Sequence, residues 1–143
     1  MKALRWGVLG CARIARNAFV PAVRRSRNGT VVAIASRDGE KARSWARELE
    51  IPTAHAGYEA LLADPRVDAV YVALPNALHG VWVRRAAEAG KHVLCEKPLA
   101  ADAAEARAMV ETCRRHGVHL VEAFVPLPPP DPAGAGAAGR RGH

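Results

Sequence analysis

Short apolar runs alternate with segments of helical periodicity along most of the chain, and this alternation constrains the fold more than any other feature. The runs "TVVAIAS" and "VDAVYVALP" are apolar and rich in β-branched residues, which is typical of strands buried on both faces. Amphipathic patterns such as "DGEKARSWARELE" and "DAAEARAMVETCRRHG" predict helices between such runs. Strands that alternate with helices over short connections favour a parallel sheet with right-handed crossovers. The predicted class is therefore an α/β fold with a mostly parallel sheet.

The regular pattern ends at Phe124. The segment that follows, "VPLPPPDPAGAGAAGRRGH", contains half of the chain's 10 prolines and shows neither helical nor strand periodicity. We therefore predict one folded domain over residues 1–124 and a disordered tail, rich in proline, glycine and alanine, over residues 125–143. A domain of this length can build one ordinary hydrophobic core.

The excess of lysine and arginine gives the chain a formal net charge of +7. A basic balance can indicate nucleic-acid binding, but these arginines are scattered along helical segments such as "VRRSR" and "VRRAAEAG". Solvated helix faces are the simpler interpretation, and the same charge attracts an anionic cofactor. No nucleic-acid partner is predicted.

Two further features of the sequence predict the cellular compartment of the protein. No N-terminal run resembles a signal peptide and no apolar stretch is long enough to cross a membrane, so we expect a cytoplasmic protein with no membrane partner. Cys11, Cys95 and Cys113 are odd in number and lack the spacing of a zinc site. We predict that they are reduced thiols, and we predict no metal site.

The stretch "GVLGCARIA" lies where the first predicted strand turns into the first predicted helix. A dinucleotide-binding turn needs a tight bend, a close approach to the pyrophosphate and close packing of helix on strand. Only one of its three glycine positions is glycine here, so tight packing alone is an alternative explanation. The helix N-terminus offers N–H groups to a phosphate, and an arginine adds positive charge. The predicted cofactor-binding residues of this turn are Gly10, Ala12, Arg13 and Ile14.

The second strand ends in "ASRD", without the carboxylate that usually grips the 2′-hydroxyl of NAD. Ser36 and Arg37 stand there instead, with Lys41 nearby, and a hydroxyl beside a guanidinium suits a 2′-phosphate. We therefore predict NADP as the cofactor, with NAD as a possible alternative. Asp38 is also a candidate helix N-cap followed by surface charges, and the two interpretations are compatible.

Polar residues also follow two later strands, in "ALPNALH" and "CEKP". Ligands of open α/β sheets lie outside the carboxyl ends of the strands, so these residues should face one crevice. Each has a simpler explanation on its own: Asn76 as a helix cap, His79 as a surface helix residue and Lys97 as a loop cation. The predicted crevice residues are Leu74, Asn76, His79, Glu96 and Lys97.

Five segments together resemble the N-terminal half of the Gfo/Idh/MocA oxidoreductase family, in order and with similar spacing over residues 3 to 124. The resemblance implies a Rossmann-type doubly wound sheet and, in the sugar and dihydrodiol dehydrogenase branch, NADP. It implies that Lys97 is a catalytic residue that orients substrate and nicotinamide. The segments are "RWGVLGCARIA", "VVAIASRD", "VDAVYVALPNALH", "GKHVLCEKPLA" and "VHLVEAF".

The family pairs this domain with a second one that carries the substrate walls, an acid/base histidine in an Asp-x-x-x-His motif, and the dimer interface. No aspartate of this chain has a histidine four positions later. The resemblance therefore implies the nucleotide-binding half of an oxidoreductase of sugars, polyols or dihydrodiols that is not competent alone. A polyol substrate is expected only for a longer form, and the family's dimer interface is expected to be absent. A non-catalytic NAD(P)-binding or regulatory module and a proline-tail interaction protein remain alternatives.

The tail itself has an explanation at the level of the gene. If the family's usual continuation after "EAF", "MYRFHPQT", is written in GC-rich codons, dropping its first two nucleotides makes it read Val-Pro-Leu-Pro-Pro-Pro-Asp, which are residues 125–131. We therefore expect residues 125–143 to be an out-of-frame translation. A natural proline-rich ligand is the competing interpretation.

Overall fold

The computed structural model describes residues 2–123, so the predictions for the tail lie outside the described residues. The described chain forms one six-stranded sheet in the order β3-β2-β1-β4-β5-β6, and every neighbouring pair is parallel. This is the doubly wound order of the Rossmann fold and confirms the predicted class. The strands are β1 (Leu4–Leu9), β2 (Gly29–Ser36), β3 (Thr53–Ala56), β4 (Ala69–Val72), β5 (His92–Glu96) and β6 (Leu120–Ala123).

Strand β3 was not predicted. Its four residues, "TAHA", carry no apolar run that would mark a buried strand, and it lies at one edge of the sheet beside β2. It is a strand because it hydrogen-bonds to the edge of the sheet, and local sequence does not predict that pairing.

Five α-helices connect the strands. A π-helical turn, Ala15–Phe19, directly precedes α1, and Pro21 lies in the first turn of α1. The helix type therefore changes beside Pro21, because proline has no N–H to continue the bonding pattern. The helices are α1 (Val20–Arg25), α2 (Gly39–Glu48), α3 (Tyr58–Leu62), α4 (His79–Glu88) and α5 (Ala103–Arg115).

The helix ends follow the sequence signals. The side chain of Asp38 accepts hydrogen bonds from the backbone N–H groups of Glu40 and Lys41, so it caps α2 as predicted. Gly90 and Gly117 end α4 and α5 with φ values of 76° and 65°, in the left-handed region that favours glycine.

The helices cover the two faces of the sheet unequally. The segment from Ala15 to Arg25 and α2 pack on one face, whereas α3, α4 and α5 pack on the other. Because successive strands are added on one side of β1 up to β3 and on its other side from β4 onward, the loops after β1 and β4 part and leave a crevice at the carboxyl edge of the sheet. The candidate site lies there.

Candidate functional site

Gly10 forms the turn at the end of β1. Its φ is 102°, and its N–H donates to the carbonyl of Ala35 on β2 at 2.9 Å. A Cβ at this position would lie 2.7 Å from the carbonyl oxygen of Ala73 and 2.9 Å from the side chain of Leu74. Only glycine fits, so the turn is held against the end of β4 at the crevice.

The helix that follows starts directly after this turn. The carbonyl of Ala12 accepts from the N–H of Ala15 at 3.0 Å and from that of Arg16 at 3.3 Å. The N–H groups that precede Ala15 lie in the first turn of the helix, where no preceding turn supplies carbonyl acceptors for them. Arg13 and Ile14 are exposed, the latter by 41% despite its apolar side chain. The structure therefore presents a positively polarised helix end at the crevice.

The end of β2 brings a hydroxyl and a guanidinium to the same edge. Ser36 is nearly buried, and its Oγ accepts from the N–H of Asp38 at 3.2 Å. Arg37 and Lys41 are exposed beside it. Burial raises the pKa of the Cys11 thiol, which lies against Ser36, so this cysteine stays a neutral wall of the site.

An apolar cleft of about 560 Å³ opens next to Arg37 and was not predicted from the sequence. The rings of Tyr58 and Trp82 meet edge to face there, with centroids 5.0 Å apart, and Arg85 lies 5.0 Å above the Trp82 ring. Leu78 completes the wall. The spacing of Leu78 and Trp82, one helical turn apart, was the available signal, but only the fold brings Tyr58 from α3 to meet them.

The loop after β4 contains three predicted site residues with different roles. Leu74 is buried against Gly10, and Asn76 is exposed in a 3-10 turn, Asn76–Leu78. His79 has no exposed surface, with Nε2 2.8 Å from the carbonyl oxygen of Leu74 and Nδ1 2.7 Å from that of Pro98. The prediction that His79 faces the crevice is therefore wrong: its ring is enclosed and joins two loops.

The end of β5 carries Glu96 and Lys97. The Tyr71 hydroxyl donates a hydrogen bond to the Glu96 carboxylate, so this predicted site residue already has a protein partner. Lys97 is exposed. Burial, together with the charges of Glu122 and Glu96, raises the pKa of the neighbouring Cys95 thiol to about 12.

Gly10, Ser36, Leu74 and Lys97 each follow or end a different strand at the carboxyl edge of one parallel sheet. Within residues 2–123, no group of three histidine, cysteine, aspartate or glutamate side chains is arranged to hold a metal ion. No helix in that range is long and apolar enough to cross a membrane.

Strand order, the glycine turn and the helix end at the crevice define a dinucleotide-binding domain of the Rossmann class. Residues 4–124 match the oxidoreductase family with an NAD-binding Rossmann fold known as Gfo/Idh/MocA. The chain belongs to this family, as its sequence resemblance implied.

Several relatives act on sugars or diols. D-xylose 1-dehydrogenase (NADP(+)) 2 of Haloferax volcanii is 52% identical over 122 residues, which cover 85% of this chain and 37% of the relative. Trans-1,2-dihydrobenzene-1,2-diol dehydrogenase of Xenopus tropicalis is 40% identical over 127 residues, with coverages of 85% and 37%. This chain thus spans a little over a third of their length.

A solved structure also matches this chain over most of its length. KijD10, a 3-ketoreductase from Actinomadura kijaniata in complex with TDP-benzene and NADP, has a TM-score of 0.82 to this chain at 42% identity. The match covers 86% of this chain and 39% of KijD10.

Proposed function

We propose that this chain binds NADP(H) and forms the nucleotide-binding half of an oxidoreductase of sugars, polyols or dihydrodiols. The observation that carries the proposal is the turn at Gly10, where a Cβ-free backbone and the N-terminus of a helix meet at the crevice between β1 and β4. Such a turn fits a pyrophosphate better than any neutral ligand, because the first-turn N–H groups lack partners within the helix.

The rest of the cofactor follows the carboxyl edge of the sheet. In this proposal Ser36, Arg37 and Lys41 bind the 2′-phosphate, and the aromatic cleft beside Arg37 binds the adenine ring. On the other side of the turn, Asn76 and Lys97 face the nicotinamide end. Charge supports this assignment, since Arg13 follows the glycine turn, Arg37 and Lys41 follow the end of β2, and all three are exposed.

The bound cofactor would supply hydride transfer at its nicotinamide carbon. This chain's own residues would hold it: the glycine turn fixes the pyrophosphate, and Lys97 brings a positive charge and a proton-donating Nζ to the nicotinamide end. The Lys97 ammonium donates hydrogen bonds to a substrate oxygen and so orients the carbon that reacts.

Turnover of a polyol is a property we assign to a longer protein rather than to these residues. The chain corresponds to 37% of the length of the Haloferax volcanii relative. No aspartate here has a histidine four positions later, so the acid/base motif that the family resemblance implies lies outside this sequence.

Fluorescence titration of the purified chain tests the proposal. The three tryptophans should transfer excitation to bound NADPH, and 2′-phospho-ADP-ribose should compete with it. Trp82 lines the proposed adenine cleft, so its replacement by phenylalanine should reduce the quenching that the adenine half alone produces. A chain that binds neither NADPH nor NADH at millimolar concentration would refute the proposal.

A further inference from the structure

The residues on either side of Lys97 are held by side chains from three different elements. Tyr71 on β4 donates to the Glu96 carboxylate, and Nδ1 of His79 on α4 lies 2.7 Å from the carbonyl oxygen of Pro98. Glu122 on β6 accepts from the N–H of Leu99 through Oε2 at 2.7 Å. We call Tyr71, His79 and Glu122 the Lys97 clamp.

Two members of the clamp are themselves rigidly placed. Phe19 stacks on the Tyr71 ring at 4.1 Å between centroids, and Trp6 meets Phe19 edge to face at 5.2 Å. The position of the Tyr71 hydroxyl therefore depends on packing against Phe19, which belongs to the helical segment that begins at the glycine turn. His79 is completely buried, and its Nε2 lies 2.8 Å from the carbonyl oxygen of Leu74, so the ring stands between two carbonyls and in its neutral form donates to one of them.

His79 also connects the two sides of the crevice. The Leu74 side chain lies against Gly10, and the Leu74 carbonyl faces His79, whose opposite nitrogen reaches the loop of Lys97. One buried ring thus contacts both the loop that packs against the glycine turn and the loop that carries Lys97.

A variant of Glu122 can distinguish a positioning role for the clamp from a role in global stability. Its hydrogen bond to Leu99 is exposed, and water would satisfy the Leu99 N–H nearly as well if the carboxylate were removed. This contact therefore adds little to global stability. Its effect is to fix the loop that follows an exposed and flexible lysine.

We propose that Tyr71, His79 and Glu122 are positioning residues that hold Lys97 toward the nicotinamide end of the cofactor. The inference rests on the proposed function, because Lys97 meets the nicotinamide only if NADP(H) occupies the crevice. It predicts that loss of a clamp residue weakens binding of the nicotinamide half and leaves the adenine half unaffected.

Calorimetric titration of the 143-residue chain with two ligands tests this prediction. NADPH engages both halves of the site, whereas 2′-phospho-ADP-ribose lacks the nicotinamide. Glu122→Ala and Tyr71→Phe should each weaken NADPH binding about three- to tenfold, the equivalent of one lost hydrogen bond from Lys97 to the ligand, and change the affinity for 2′-phospho-ADP-ribose less than twofold. Glu122→Gln keeps an acceptor oxygen and should restore the NADPH affinity.

Glu111→Ala on the exposed face of α5 is the charge-matched control and should alter neither affinity. His79→Gln completes the series, but its burial makes misfolding a risk, so the inference depends on Glu122 and Tyr71. Equal weakening of both ligands, or no weakening of NADPH by either variant, would overturn the inference while leaving the proposed function intact. A parent chain that binds neither ligand would overturn the proposed function and this inference with it.

Discussion

The hydroxyl of Tyr71 on β4 donates a hydrogen bond to the carboxylate of Glu96 at the end of β5, a residue 25 positions later. Burial of the phenol, reinforced by this hydrogen bond and by the charge of Glu96, raises the pKa of Tyr71 far above its ordinary value of about 10. We therefore predict that Tyr71 stays protonated in the folded protein up to at least about pH 11.

Ultraviolet titration measures this directly, because the chain has only 2 tyrosines. Tyr71→Phe should leave the tyrosinate absorbance of the folded protein unchanged and halve that of the protein unfolded in urea. A smaller tyrosinate signal in the folded variant than in the folded parent would show that Tyr71 ionises with the fold intact.

The preference for NADPH over NADH should depend on Arg37. A charged hydrogen bond to the 2′-phosphate contributes about 1.5–3 kcal/mol, so Arg37→Asp should weaken NADPH binding by about one to two orders of magnitude and abolish or invert the preference. Arg47→Asp, an exposed charge reversal near the far end of α2, is the matched control. Equal affinities of the parent protein for the two cofactors in fluorescence titration would contradict the assignment of Ser36 and Arg37.

Gly10 and Gly90 both have positive φ but differ in the space around them. A Cβ on Gly90 meets nothing within 4 Å, whereas a Cβ on Gly10 meets the carbonyl oxygen of Ala73 at 2.7 Å. Gly90→Ala should cost about 1–2 kcal/mol of unfolding free energy through its backbone conformation alone. Gly10→Ala should cost a further ~1–3 kcal/mol, because backbone on both sides must move.

Urea unfolding and NADPH titration of the two variants separate these effects. Gly10→Ala should also weaken cofactor binding, whereas Gly90→Ala should bind NADPH like the parent. If both variants bind equally well, the close approach at Gly10 has no part in the site.

Acid should destabilise the protein through Asp68. Hydrogen bonds from Arg5 lower the pKa of Asp68 from 3.8 to about 2. Because the folded-state pKa is depressed, the stabilisation is complete above about pH 4 and is lost as the pH falls toward 2. Asp68→Asn should therefore be less stable than the parent at pH 6 and lose less stability between pH 4 and pH 2.

Urea unfolding at several pH values compares the slopes of stability against pH. Glu111→Gln removes an exposed carboxylate and should keep the slope of the parent. An unchanged slope in Asp68→Asn would show that its pairing with Arg5 has no energetic consequence in solution.

The 143-residue chain should bind NADP(H) without oxidising D-xylose or a dihydrodiol. Acid–base catalysis typically contributes about 10²–10⁴-fold to a rate, and the family resemblance places that group in a second domain. A coupled absorbance assay of NADPH formation should therefore stay at background. Turnover by protein free of host dehydrogenases, abolished by Lys97→Ala, would refute this division of the chemistry.

The out-of-frame hypothesis for residues 125–143 is checked on the gene. We predict that DNA downstream of codon 124 encodes, in another frame, a second domain with an Asp-x-x-x-His motif. If no frame encodes one, the proline-rich tail is natural, and its binding to an aromatic-grooved partner becomes the question.

Local sequence alone determined much of the fold. Strands β2 and β4 are runs of apolar residues, and Gly90 and Gly117 follow the ends of helices with positive φ, because both signals depend on neighbours within a few residues. The dinucleotide turn was predictable for the same reason. Strand β3 was missed because its pairing with β2, and not its composition, makes it a strand.

The arrangement within the site depended on tertiary structure. His79 followed a strand end as a crevice residue should, yet its ring turned inward to carbonyls 5 and 19 residues away. Glu96 met Tyr71 because β4 and β5 are neighbours in the sheet, and Tyr58 met Trp82 because α3 and α4 lie on the same face. The sequence determined which residues stand at the carboxyl edge. The packing of the sheet and its helices decided which of them reach the crevice, because a side chain's direction and partners depend on residues far away in the chain.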